Sequence, residues 1–137
     1  MEDQETWDFL FNVNFTTTLH SCRAVISRMI QQQMGKIVTI VSPNAFLGAA
    51  GVGAYSVAKS AVLRLTESMA SELKEFGITV NAVVPGTMDT PQNRQAMPNA
   101  DPSKWVEPFA VADVILFLAS YTARAVTGTA IPIYGKT

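Results

Sequence analysis

Histidine and cysteine are almost missing from this chain of 137 residues, with one of each, His20 and Cys22. A single cysteine excludes an internal disulfide and fits a reducing compartment. A single histidine leaves little from which to build a metal centre, and none is expected. Charge is also scarce: charged residues make up 15%, and ten Lys+Arg against eleven Asp+Glu leave a net charge of −1. With no basic patch, neither nucleic acid nor an anionic membrane surface is an expected partner. Long apolar runs are lacking as well; Val114–Ala119 is far too short to span a bilayer. The opening MEDQETW has neither the basic nor the apolar region of a secretion signal, and repeats and low-complexity tracts are absent. Hydrophobic residues make up 48%, enough for one folded domain with a real core. The expected location is the cytoplasm.

The apolar pattern reads as alternating helices and strands. Residues 4–34 are predicted as one long helix, with Leu19, Cys22, Val25, Ile26, Met29 and Ile30 recurring at spacings of three and four. Acids at 2–8 suit its N-terminal dipole, and Gly35 is the expected terminator. KIVTIVS (36–42) is a β-branched run and a predicted buried strand. A second long helix is expected over 53–76, ended by Gly77, followed by a strand ITVNAVV (78–84) stopped at Pro85-Gly86. Residues 87–107 read as a polar loop, helical at most over 101–105. A helix follows from Pro108 to about Ser120 with Val111, Val114, Ile115 and Leu118 on one face. A weaker strand at 129–134 contains Pro132. Strands that are apolar throughout and alternate with helices predict an α/β fold, a parallel sheet covered on both faces. In such sheets ligands bind beyond the carboxyl ends of the strands, here at Ser42 and at Pro85-Gly86.

The second helix opens on GVGAYSVAKSAV (51–62), which sets Tyr55 and Lys59 at i and i+4 on one face. A free phenol titrates near ~10. A neighbouring ammonium favours its ionised form and brings it toward useful acid–base chemistry. Ser42 ends the preceding strand and is placed to donate a hydrogen bond to the same substrate oxygen. Asn14, a poor helix former in mid-helix, either holds a water or braces the first turn of the site. Trp105 either lines a pocket or caps the last helix against the core.

Taken in order, Trp7 and Asn14 in WDFLFNVN, GKIVTIVS ending in Ser42, AYSVAKSAV, GITVNAVVPGTMDT (77–90) and VTGTAIPIYG resemble the short-chain dehydrogenase/reductase family, particularly members of the 3-oxoacyl-acyl-carrier-protein reductase type. The resemblance runs along essentially the whole chain. It implies a Rossmann-like fold and reversible hydride transfer between NAD or NADP and a small carbonyl or alcohol. It further implies Tyr55 as the acid/base, Lys59 tuning it and binding the nicotinamide ribose, Ser42 orienting the carbonyl and Asn14 supporting a relay water. Pro85 and Gly86 would lie against the nicotinamide, with Thr87 and Thr90 near its carboxamide and phosphates. The segment 87–107 would be the substrate lid, and the two long helices would form homo-oligomer contacts.

The glycine-rich strand–turn–helix that cradles a pyrophosphate in this family has no counterpart here. Gly48, Gly51 and Gly53 sit where the family places substrate. Residues 1–137 therefore read as a single domain equivalent to the C-terminal, catalytic half, with about three strands and three main helices in the order α-β-α-β-α-β. The N-terminal dinucleotide-binding units are absent and the strand at 36–42 is left at an open edge. A non-catalytic fragment or interaction module that pairs with full-length subunits is the alternative.

Overall fold

The computed structural model describes residues 1–136. Asp3 starts the first helix: its carboxylate accepts the Thr6 N–H at 2.8 Å, satisfying one of the donors that a helix start leaves free. The helical path from Gln4 to Gln32 is not one regular helix. It consists of α1 (Gln4–Phe11) and α2 (Thr17–Gln32), joined by a π-helical turn at Asn12–Thr16. In and beside that turn, side chains bond back onto the helix. The Asn14 amide donates to Leu10 O at 2.9 Å, and the Thr17 and Thr18 hydroxyls donate to Val13 O and Asn14 O at 2.6 and 2.8 Å. Such back-bonding competes with the regular ladder and distorts it. The terminator also differs from expectation. Gln33 takes the left-handed conformation that ends α2 (φ 52°), while Gly35 opens β1 (Gly35–Ile40). Gly35 is needed for close approach, since a Cβ there would stand 2.6 Å from Met29 Sδ.

α3 spans Gly53–Leu73 and ends through a short 3-10 turn at Gly77, in the left-handed conformation (φ 69°). β2 (Ile78–Pro85) follows and is buried along its whole length. The segment 87–107, expected as a loop helical at most over 101–105, has a 3-10 turn at Pro102–Lys104 within that stretch and also contains an unexpected helix, α4 (Pro91–Ala96). α4 escapes a periodicity reading because PQNRQA has no apolar stripe. It is held instead by the Thr90 hydroxyl capping Asn93 N–H at 3.2 Å and by a two-point Arg94–Asp89 pair at 2.6 and 2.8 Å. Arg94 holds the Asp89 carboxyl below its ordinary range, chiefly through that hydrogen bond. α5 (Pro108–Ala119) starts with Pro108 in its first turn, and β3 (Ala130–Ile133) closes the order.

The three strands form one parallel sheet in the order β1-β2-β3. β2 is the centre, which explains why its sequence is apolar without alternation. Pro132 lies in β3, at the other edge, where a missing N–H is tolerated. One face of β2 (Ile78, Val80, Ala82, Val84) packs against Cys22 of α2 and Val62, Leu63, Met69, Ala70 and Leu73 of α3. The other face packs through Val83 against Val111 and Leu118 of α5, with Val114 and Ile115 half-buried beside them. Both faces are thus covered, as the strand pattern predicts. No helix among the described residues is long and apolar enough to cross a membrane.

The Thr79 hydroxyl, buried on β2, has no hydrogen-bond partner among the described residues. Valine has nearly the same shape and removes the unpaired group. Thr79→Val should therefore raise stability by roughly 1 kcal/mol, read as a higher urea midpoint with an unchanged m-value.

Candidate active site

A cleft of about 400 Å³ opens at the carboxyl ends of β1 and β2. Its position follows from the parallel sheet: β1 runs out through Val41 to Ser42, and β2 ends at Pro85-Gly86. Ser42, Tyr55, Lys59, Pro85, Gly86 and Thr87 all line it. Asn14 lies in the adjoining groove, which shares Lys59 with the cleft. Thr90 does not line the cleft and acts as the cap of α4.

Each of these side chains is held by local chemistry. Ser42 is buried in extended backbone (φ −148°), and its hydroxyl accepts the Asn44 N–H at 3.3 Å, starting the turn Pro43–Ala45. That turn is tied to α3 by the Ser60 hydroxyl, which donates to Ala45 O at 2.9 Å. Deeper down, the Thr39 and Thr66 hydroxyls share a buried hydrogen bond of 2.7 Å that docks α3 on β1. The start of α3 has no cap of its own, since its preceding residue is Val52. Glu2 supplies one from far along the chain by accepting the Ala54 N–H at 2.8 Å, and its carboxylate also complements the helix dipole. Trp7 packs over the same turn, 3.6 Å from where a Cβ on Gly53 would stand. The first turn of α3, which carries Tyr55, is therefore fixed by the N-terminal segment.

Lys59 follows Tyr55 by one helical turn, with its ammonium 5.7 Å from the centre of the phenol ring. The same ammonium donates to Ile40 O at 3.0 Å. Burial pushes the Lys59 amine below its ordinary range, because the charged form loses hydration. Pro85 and Gly86 are set by β3, whose Ile133 O accepts the Gly86 N–H at 2.9 Å. Asn93 and Met97, which sequence reasoning missed, also line the cleft. The Asn93 amide donates to Met88 O at 2.8 Å. The pair Thr90-Pro91, a capping residue before a first-turn proline, is the signal that would have found this helix. Among the described residues no cluster of three or more His, Cys, Asp or Glu side chains is placed to hold a metal ion.

A parallel α/β sheet with a tyrosine–lysine pair at its carboxyl edge defines a Rossmann-like class of protein. Comparison with known proteins narrows this. The short chain dehydrogenase family model matches residues 1–101. The chain is 38% identical over 137 aligned residues to a (2S)-[(R)-hydroxy(phenyl)methyl]succinyl-CoA dehydrogenase subunit of Thauera aromatica, covering 94% of this chain and 55% of that protein. It is 35% identical over 140 residues to a 3-oxoacyl-[acyl-carrier-protein] reductase of Thermotoga maritima, covering 96% and 57%. Among solved structures, a gluconate 5-dehydrogenase from Burkholderia cenocepacia, in complex with NADP and tartrate, superposes with a TM-score of 0.89 at 25% identity, covering 98% of this chain and 56% of that one. The chain belongs to the short-chain dehydrogenase/reductase family of oxidoreductases. It spans a little over half the length of these relatives.

Proposed function

We propose that this chain carries the proton-transfer and nicotinamide-facing part of an NAD(P)-dependent reductase acting on a small carbonyl or alcohol, equivalent to the catalytic C-terminal half of the family fold. The observation that carries this reading is the convergence of Ser42, Tyr55 and Lys59 on one cleft at the carboxyl edge of the sheet. The donor set fits the nicotinamide end of the cofactor. Lys59 and Tyr55 offer polar groups to a ribose, and Pro85, Gly86 and Thr87 offer a flat wall and main-chain groups to the ring. When bound, the nicotinamide supplies or accepts the hydride. Among the described residues that line the cleft there is no glycine-rich turn at a helix N-terminus for a pyrophosphate, where much of a dinucleotide's grip resides.

In this reading the Ser42 hydroxyl donates to the substrate carbonyl oxygen and orients it. The Tyr55 hydroxyl delivers its proton to that oxygen as negative charge develops there. Lys59 places a positive charge beside the phenol, and Asn14, one groove away, holds a water that returns the proton. The buried positions of Ser42 and of the Thr39–Thr66 bond keep Tyr55 and Ser42 in fixed relation, which favours reaction over mere binding. Phe9 on α1 and Val57 on α3, both exposed, favour a second role for the helical path 4–32 and α3 as a contact between subunits.

The test is a titration of NADH and NADPH into the chain, followed by nicotinamide fluorescence, with turnover measured on a panel of small ketones. Tyr55→Phe should lower turnover by about 10²–10⁴ while leaving cofactor fluorescence changes intact. Loss of binding in Tyr55→Phe would instead give Tyr55 a structural role and overturn the reading.

A further inference from the structure

The cleft at the carboxyl edge of the sheet holds more polar groups than the proposed proton transfer uses. Asn44 and Asn93 both line it, and they come from different elements: Asn44 from the turn after β1, Asn93 from α4. Both are half-buried. The Asn44 main-chain N–H donates to the Ser42 hydroxyl oxygen at 3.3 Å, so Asn44 stands beside the group that orients the carbonyl. The Ser42 proton is left for the substrate, since no described residue accepts it. The Asn44 side-chain amide has no hydrogen-bond partner among the described residues. The Asn93 amide nitrogen is committed to Met88 O at 2.8 Å, and its oxygen meets no donor among the described residues.

Charge narrows what these amides can receive. Tyr55 and Lys59 are the only ionisable side chains lining the cleft among the described residues. Lys59 already donates to Ile40 O and faces the ribose in the reading above. Arg94 follows Asn93 directly but is held by Asp89 in a two-point pair and does not line the cleft. A carboxylate or phosphate on the substrate therefore meets no guanidinium, and an ammonium meets no carboxylate. A charge brought into such a site loses hydration without gaining a partner. Pro43, Met88 and Met97 add apolar wall, which a plain alkyl ketone can fill. That ketone displaces water from both amides and gives them nothing in return, a loss that discriminates against it. A hydroxyl suits either amide, because it both donates and accepts.

We propose that the substrate is a small, uncharged ketone bearing hydroxyl groups beside its carbonyl, or the matching polyol. One hydroxyl bonds the Asn44 amide, and another donates to the Asn93 oxygen. The two asparagines thereby set specificity, while Ser42 and Tyr55 act on the carbonyl between them. This assignment rests on the carbonyl reading of the cleft, so its test reads binding and the two amides, apart from turnover.

The probes are dihydroxyacetone and diethyl ketone, which share one heavy-atom framework and differ in ending on hydroxyls or methyls. Hydroxypyruvate, with one hydroxyl and a carboxylate, tests charge. Each is titrated into the isotope-labelled chain with the oxidised cofactors NAD and NADP present, neither of which can reduce a ketone. The side-chain amide signals of Asn44 and Asn93 are followed by NMR and assigned by their loss in Asn44→Leu and Asn93→Leu. Dihydroxyacetone should bind saturably and move both signals, with the other two ketones binding about tenfold or more weakly. Asn44→Leu removes an amide that holds nothing else in the fold, and it should erase most of the preference over diethyl ketone. Equal binding of diethyl ketone, tighter binding of hydroxypyruvate, or failure of dihydroxyacetone to bind would overturn the assignment. So would binding that leaves either amide signal unmoved. A chain that answers the nicotinamide titration and turns over both uncharged ketones equally keeps the proposed function and loses this substrate class.

Discussion

Asn81→Ala should destabilise the protein by about 3 kcal/mol and loosen β3 more than β2. Asn81 sits in the middle of β2, 1% exposed. Its amide N–H donates to Val126 O at 2.8 Å, and its amide oxygen accepts the Thr129 N–H at 3.2 Å. Those two bonds hold the turn that delivers β3 into register, with Ala82 opposite Ala130 and Val84 opposite Pro132. Alanine removes both partners at once and leaves the part-buried Val126 carbonyl and Thr129 N–H without their bonds, together costing about 2–3 kcal/mol. β3 has four residues and one outer edge, and the turn before it is otherwise held to β2 through Gly128 N–H on Val80 O, Ala82 N–H on Thr129 O and Val80 N–H on the Thr127 hydroxyl. Urea denaturation gives the total loss, and amide exchange at Ile131 and Ile133 should speed up more than at Val80 or Val83. A loss below about 1 kcal/mol would show that water replaces the amide and that Asn81 does not set the register. Because Ile133 O holds the Gly86 N–H at 2.9 Å, the wall of the cleft should loosen with β3.

Gly77→Ala should cost roughly 3 kcal/mol, the sum of two separable effects. Gly77 has φ +69°, a conformation L side chains rarely adopt, and a Cβ there would stand 2.5 Å from Gln33 O. The conformational part alone is about 1–2 kcal/mol; the rest comes from pushing apart the ends of α2 and α3, which meet at this point. Gly51 supplies the control. Its φ is +78°, but nothing lies within 4 Å of its would-be Cβ, so Gly51→Ala should show the conformational part only. Thermal or urea unfolding of the two variants separates the terms. Equal losses would mean that Gln33 yields freely and that the α2–α3 junction is soft.

The two sites differ in how far they can be read from sequence. Gly77 is legible, because a glycine after a long helical pattern and before a β-branched run marks a helix end through its own backbone freedom. The boundaries of α3, β2 and α5 follow from equally local signals. Gly35 offers the same local signal and misleads, because Gln33 takes the left-handed position and Gly35 is needed to let Met29 approach. Asn81 reads as a polar interruption in ITVNAVV, and nothing nearby reveals that its partners are 45 and 48 residues away. α4 is a short exposed helix whose support is a cap and an ion pair, so hydrophobic periodicity, the main sequence signal, does not register it.

By itself the sequence determined the alternation of helices and strands, the parallel sheet implied by uniformly apolar strands, and the i, i+4 pairing of Tyr55 with Lys59. These are consequences of periodicity and local backbone preference, which act over a few residues. Only the tertiary structure decided that Glu2 caps the helix bearing Tyr55, that Asn93 and Met97 join the cleft, and that Lys59 rests on the Ile40 carbonyl at the sheet edge. Those pairings join residues distant in the chain. They exist because packing two helices on one face of the sheet and a third on the other leaves particular polar groups within hydrogen-bond reach, and buried polar groups must find partners where packing puts them.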